Sequence, residues 1–298
     1  MTVVDPRQLE LGTKAPLGTK RWLQVPLPAA LRGRPALFIG LVMLTAIAVL
    51  CLGAPWFTDW SPIEIDALAP LAPPGTGGHL LGTDEFGRDL WSRLLYGGRY
   101  DLAIAFGATS VTLVIGTAIG MASAYAGGWV DAVVMRIVDL FFAFPFIVLV
   151  IAIVAALGPS LTNMFIALWL ASWVGYARIA HGQTGSARGY GYVIAARALS
   201  YSPTRVLLRH VLPSVLPLAL VFAMVDAVGN VLLGASLGFL GIGVPQPTPE
   251  WGSMISGGQA YLLSNWQLSI IPGLALVLLG VTFSLLGDGL ADVLRPEQ

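Results

Sequence analysis

Residues 178–212 read RIAHGQTGSARGYGYVIAARALSYSPTRVLLRHVL, with five arginines and no acid between two long apolar segments. A basic stretch flanked in this way projects from one face of a membrane, the face that collects Lys and Arg. The surrounding chain agrees. Of its 298 residues 56% are hydrophobic and 11% charged, and the mean hydropathy is +0.78. A water-soluble domain needs more charge than that on its surface.

Six apolar runs approach the ~17–25 residues required to cross a bilayer: 36–54, 102–125, 140–157, 161–177, 213–237 and 268–287. They predict an all-α, polytopic membrane protein with six transmembrane helices. The first run is longer than the core of a secretory signal and follows 35 residues of tail, so it is expected to anchor rather than be cleaved. Thirteen of the sixteen Lys and Arg fall in the tail, at Arg136, in 178–212 and at Arg295, whereas Arg88, Arg93 and Arg99 lie on the other side. This asymmetry predicts cytoplasmic N- and C-termini in a multi-pass protein of the inner (plasma) membrane.

The organisation expected is a cytoplasmic tail at 1–35, a first span at 36–54 and an outer loop at 55–101. A core of five spans follows at 102–290, then a cytoplasmic C-terminus at 291–298. In the outer loop, 67–79 (ALAPLAPPGTGGH) reads as irregular. Thr83 or Asp84 can cap a turn, and Leu90, Trp91, Leu94 and Leu95 mark a short amphipathic helix along the interface before re-entry at Leu102. Gly107, Gly116 and Gly120 predict a second span packed closely inside a bundle. Pro145 predicts a kink, Asp139 an interfacial pair with Arg136, and Trp251 and Trp266 positions at the membrane interface.

The basic stretch resolves into two short helices. Val193, Ala196 and Leu199 have helical spacing over 192–199, and Ser202 and Pro203 supply an N-cap and a first helical residue for a second helix over 203–212. Ala195 and Ala196 are expected to form a small, exposed knob on this helix, break, helix element, a lever for another protein. Asp226 is the one acid within a predicted span, with Asn230 one turn later. Because an ionised carboxylate is costly in lipid, the pair is expected to face the translocation pathway or another helix.

YVIAARALSYSPTRVLLRHVLP, GASLGFLGIGVPQPTPEWGSMI, LGTDEFGRDLWSRLLYGGRYDL and PGLALVLLGVTFSLLGDGLADVLRP resemble the second of the two permeases of dipeptide, oligopeptide and nickel ABC importers. Ala195-Ala196, Ser200 and Leu212-Pro213 keep the spacing of the motif by which such permeases dock their ATPases. The resemblance implies an ATPase-coupling surface at Ile194, Ala195, Ala196, Arg197, Ser200, Pro203, Arg205, Leu212 and Pro213. It departs from the family at Ile194, where Glu is usual, at Ser200, where Gly is usual, and at Gly234, where relatives often carry Glu. It also implies a homologous second permease, two ABC ATPase subunits and an extracytoplasmic substrate-binding protein as partners, besides membrane lipid, with peptides as the expected cargo and nickel chelates, glutathione-like or sugar ligands left open. ATP and Mg belong to the partner subunits, because this chain has no G-x-x-x-x-G-K-[ST] loop.

Other chemistries are weakly signalled. One cysteine, Cys51, and three scattered histidines predict neither a disulfide nor a metal site, and a net charge of zero predicts no nucleic-acid partner. Gly234-Ala235-Ser236-Leu237-Gly238 matches the G-x-S-x-G pattern of serine hydrolases. A base is not expected near it: His181 and His210 lie on the opposite face, and His79 lies in a loop expected to be flexible and to lack an orienting acid. A secondary transporter using Asp226 is the other alternative.

Overall fold

A computed structural model describes residues 34–294, and within them the chain is almost wholly helical, with two isolated β-bridges, Thr76 to His79 and Thr83 to Asp89. The tail through Gly33 and the last four residues, including Arg295, lie outside the described residues. α1 is Pro35–Leu52, α2 Leu90–Ala126, α3 Gly128–Ala143, α4 Phe146–Leu157 and α5 Leu161–Ala187. α6 is Gly191–Ala198, α7 Pro203–Val206, α8 Leu212–Phe239, α9 Trp251–Gly258 and α10 Gln267–Leu294.

Among the described residues, four helices are long and apolar enough to cross a membrane: α1, α2, α10 and a continuous helix over Pro203–Phe239. The pair α3 and α4 passes the same test only when taken together, bent by 89°, as a broken span or a re-entrant loop; it would be the fifth if it is one span. The expected sixth, α5, has 27 residues, but Asn163, Ser172, Gly175 and Arg178 dilute its apolar run. Length and composition alone therefore identify four or five spans among the described residues and do not confirm the expected six.

The expected interfacial helix before Leu102 is not separate. α2 runs unbroken for 37 residues, about 55 Å at 1.5 Å per residue. Its cap is Asp89, whose carboxylate accepts from the Ser92 N–H at 2.6 Å, while Asp84 caps the turn just before it, as expected. Gly97 and Gly98 do not break the helix; they let neighbours approach. A Cβ on Gly98 would stand 2.4 Å from Cys51 Sγ and 2.6 Å from the Trp251 ring. Trp251 is accordingly buried within the protein, whereas Trp266 is exposed.

The small-residue face of α2 packs as expected, against α5, the most extensive helix pair in the fold. At Gly116 and Gly120 a Cβ would stand 2.3 Å from the Trp173 carbonyl oxygen and 2.1 Å from that of Ala177. Beyond α2, the kink expected at Pro145 is a full elbow. Phe144 is extended (φ −92°, ψ 141°), as a residue before proline tends to be, and the helix ends and restarts across it. Asp139 pairs with Arg178 on α5, not with Arg136. Asp131 and His181, 2.8 Å apart, form a second clip between α3 and α5.

The outer loop is not irregular throughout. Asp84 Oδ1 accepts from the Phe86 and Arg88 N–H groups, both at 2.9 Å, and its Oδ2 lies 2.6 Å from Arg88 Nε and 3.4 Å from Arg93 Nε. His79, expected in a flexible loop without an acid, is fully buried, with Nδ1 2.9 Å from Asp89 Oδ1 and its ring 4.3 Å from that of Trp60. This polar knot fixes the loop onto the first turn of α2.

Candidate functional site

The 191–211 element is built as the sequence suggests at its break and differently at its end. α6 closes in a Schellman arrangement: the Ser200 N–H donates to the Arg197 carbonyl at 2.9 Å and the Tyr201 N–H to the Ala196 carbonyl at 3.2 Å. Ser200 then sits at φ +58°, where an L-residue pays ~1–2 kcal/mol and glycine does not. Ser200→Gly is expected to raise the thermal unfolding midpoint, a net gain of up to ~1 kcal/mol after glycine's own entropic cost; Ser200→Val should lower it. Ser202 caps α7, accepting from the Arg205 N–H at 3.4 Å, and Pro203 begins it.

α7 does not stop at Leu212. It passes through a π-helical turn, Leu207–Val211, directly into α8. Pro213 explains this turn, since it cannot donate to the Arg209 carbonyl and its ring crowds that group; a wider i to i+5 register relieves the clash. Pro217 repeats the interruption one turn on.

One face of the element is anchored. Val193, Ala196, Val206 and Val211 are buried with Met121 of α2 and Ala180 and Ala187 of α5, and Leu212 packs against the same cluster. Ala196, expected at the knob, is thus 3% exposed and internal. The outward surface consists of Ile194, Ala195, Arg197, Ala198 and Leu199, joined by Ser200, Pro203 and Arg205; Pro213 is half-buried. Ile194 is 54% and Leu199 67% exposed, a large apolar display for eight residues of helix. Arg197 lies over the Tyr125 ring and Arg205 over that of Tyr201. Sequence reasoning missed Ala198 and Leu199; their i+4 spacing from Ile194 and Ala195 was the available signal.

Asp226 and Asn230 meet within the candidate span Pro203–Phe239. Asp226 Oδ2 accepts from Tyr176 Oη of α5 at 2.9 Å and from Asn230 Nδ2 at 3.0 Å. Asn230 Nδ2 also donates to Thr109 Oγ1 of α2 at 3.1 Å. Three helices are joined through one half-buried carboxylate, an arrangement that meets the polar cost of Asp226 with partners on protein.

A second carboxylate site lies beyond α8 and was not anticipated. Glu250 is 1% exposed and caps α9: Oε1 accepts from the Gly252 N–H at 2.6 Å and Oε2 from the Ser253 N–H at 2.8 Å. Gly238 leaves room for it, since a Cβ there would stand 1.9 Å from Oε2. The fully buried Asp101 accepts from the adjoining Trp251 N–H at 3.3 Å. Burial pushes the Glu250 carboxyl from 4.5 up to about 7, against the pull of its donors. The folded chain then binds this proton more tightly than the unfolded chain, so its contribution to stability is complete below pH 4.5 and lost as pH rises towards about 7. The apparent melting temperature should fall across that window, and Glu250→Gln should flatten the slope.

The hydrolase reading gains no support. Ser236 Oγ donates to the Leu232 carbonyl of its own helix at 2.7 Å. Of the histidines, His79 is engaged with Asp89 and His181 with Asp131, and His210 lies beside the Tyr201 ring. Among the described residues no cluster of His, Cys, Asp and Glu could hold a metal ion.

Residues 100–298 match the family described as "Binding-protein-dependent transport system inner membrane component". The chain is 38% identical over 267 residues to a probable D,D-dipeptide transport system permease protein of Escherichia coli K12, covering 90% of this chain and 89% of that one. It is 36% identical to the dipeptide transport system permease protein of Alkalihalophilus pseudofirmus, over 87% and 85% of the two chains. It is equally identical, at 36%, to the oligopeptide transport system permease protein of Haemophilus influenzae, over 87% and 83%. Its fold is similar to that of a chain of the inward-facing MetNI methionine ABC transporter, with a TM-score of 0.56, 23% identity, and coverage of 68% of this chain and 96% of that one. Neither a secondary transporter nor a hydrolase is supported by these relatives.

Proposed function

The chain belongs to the binding-protein-dependent transport system inner membrane components, the permease subunits of ABC importers, and on that premise we propose that it carries di- or oligopeptides inward. The relatives' named cargoes support this choice. As a family member it works with ATPase and substrate-binding subunits. We assign it two ATPases, with their ATP and Mg, one homologous second permease and one external binding protein; the chain itself supplies a pathway and a lever rather than catalysis.

The observation that carries this reading is the 191–211 element, with an apolar tip at Ile194, Ala195 and Leu199 and its reverse face locked into α2 and α5. A partner pushing on the tip would move those two helices together. Ile194 would dock by filling an apolar groove where relatives use a carboxylate, with Arg197 and Arg205 beside it. The α3–α4 elbow supports a pathway shared with a second permease. Backbone groups left unpaired at a break of 89° are tolerated at membrane depth only against protein or a water-filled cavity. Asp226 and Asn230 would then sit behind the pathway wall, holding it together while one carboxylate oxygen remains near water.

Proteoliposomes holding the chain with its co-expressed partners should take up labelled dipeptide only with ATP and binding protein present. Uptake that needs a proton gradient and no ATP would overturn the proposal in favour of the secondary-transporter alternative. In a Cys51→Ala background, cysteines at Ser186 and Gly257, both exposed, should react with an impermeant thiol reagent from opposite membrane faces, Ser186 from the cytoplasm. Labelling of both from one face would refute the orientation.

A further inference from the structure

α1 and α2 leave between them a groove of about 720 Å³, walled by Ala48 and Leu52 on one side and by Ala103 and Phe106 on the other, with Trp56 at its rim. The lining is apolar apart from Thr45, whose hydroxyl donates to the Leu41 carbonyl within α1, and Arg99, which closes one end. Arg99 Nε donates to the Cys51 carbonyl at 2.7 Å and one terminal nitrogen donates to that of Leu52 at 2.8 Å. These are the last residues of α1, so the guanidinium sits at the depth where α1 leaves the hydrocarbon. Both bonds are to neutral carbonyls. Among the described residues Arg99 has no ion-pair partner, and three of its five N–H donors remain for another acceptor.

We infer that this groove binds a phospholipid, one acyl chain lying between α1 and α2 and the phosphate resting on Arg99. A planar cation without an acid suits a phosphate, which takes paired N–H donors. A tryptophan that is 86% exposed at the rim is the residue type enriched at headgroup depth. Ala48 of α1 and Ala103 of α2 are small residues in the lining that leave room for an acyl chain, and the volume falls within the ~300–1,000 Å³ of small-molecule sites. This site depends on the chain being membrane-embedded and not on what it transports.

The test is native mass spectrometry of the delipidated full chain titrated with palmitoyl-oleoyl phosphatidylglycerol, with dioleoylglycerol as the phosphate-free comparison. One phosphatidylglycerol should be retained, and dioleoylglycerol should bind at least about tenfold more weakly, as expected for loss of charge-assisted hydrogen bonds. Arg99→Gln should reduce phosphatidylglycerol affinity about tenfold, and Ala103→Trp, which fills the groove and leaves the Arg99 bonds intact, by a similar factor. Ala48→Phe on the opposite wall repeats the test should Ala103→Trp fold poorly. Unchanged retention in the filled variants, or equal binding of the two lipids, would overturn the site. So would a photo-crosslinker at Ala103 that captures a polypeptide rather than a phospholipid in native membranes.

Discussion

Ala195→Asp is expected to strip the ATPase from the permease while leaving the permease itself folded. Ala195 is exposed on the outward surface of α6, and a carboxylate buried without a partner in a docked contact costs ~3–5 kcal/mol, more than a hundredfold in affinity. The measurement is recovery of ATPase with affinity-purified permease, together with the permease's melting temperature. Ala196→Asp should behave in the reverse order. Its Cβ points into the cluster of Val193, Val206 and Val211, so the melting temperature should drop before docking is even assayed. If Ala195→Asp retained its ATPase and transported at the normal rate, the 191–211 element would not be the point of coupling.

Gly120→Val should have an effect of comparable size by a different route. A side chain there meets the Ala177 carbonyl oxygen at 2.1 Å and its Cα at 2.9 Å. Neither group is the end of a flexible side chain, so α2 and α5 would have to separate. Overpacking costs ~1–3 kcal/mol where side chains can adjust, and at least that is expected where backbone must move. The readout is the yield of monodisperse protein after solubilisation. Gly182→Ala in α5, where an added Cβ meets nothing within 4 Å, is the matched control and should be neutral or slightly stabilising. Equal yields for Gly120→Val and Gly182→Ala would mean that the two helices are not packed at Gly120.

The features legible in the sequence were those written in local code. Ser202 followed by Pro203 announced a helix start, small residues on 102–125 announced close packing, and a polar pair one turn apart announced an internal contact at Asp226. What stayed hidden depended on residues distant in the chain. Gly97-Gly98, with Arg93, Arg99 and Asp101 nearby, looks like a polar interruption until Trp251 and Cys51 fill the space beside it. His79 follows a run of Pro and Gly that signals a loop, and nothing local shows that Asp89, ten residues on, will hold its ring. Glu250 stands alone in an outer segment and reads as a solvated charge. Its position just before Trp-Gly-Ser was a usable hint of a cap. Ala196 was misplaced for a simpler reason. Two adjacent alanines on a helix are about 100° apart, so one can face outward while its neighbour faces in.

The continuity of α2 has a thermodynamic implication for the assembled transporter. One end of this rod is clamped by the Asp89 and His79 knot of the outer loop, and Met121 and Tyr125 at its other end pack against the 191–211 element. If a partner binding at the outer end favours one placement of the rod, a partner binding at the inner end is favoured or penalised by the same placement, and the coupling free energy has a single value whichever partner binds first. The factor by which a docked binding protein changes the permease's affinity for its ATPase must therefore equal the factor by which the ATPase changes its affinity for the binding protein. Breaking the rod in its last third, at Gly116 or Gly120, should drive both factors towards one together.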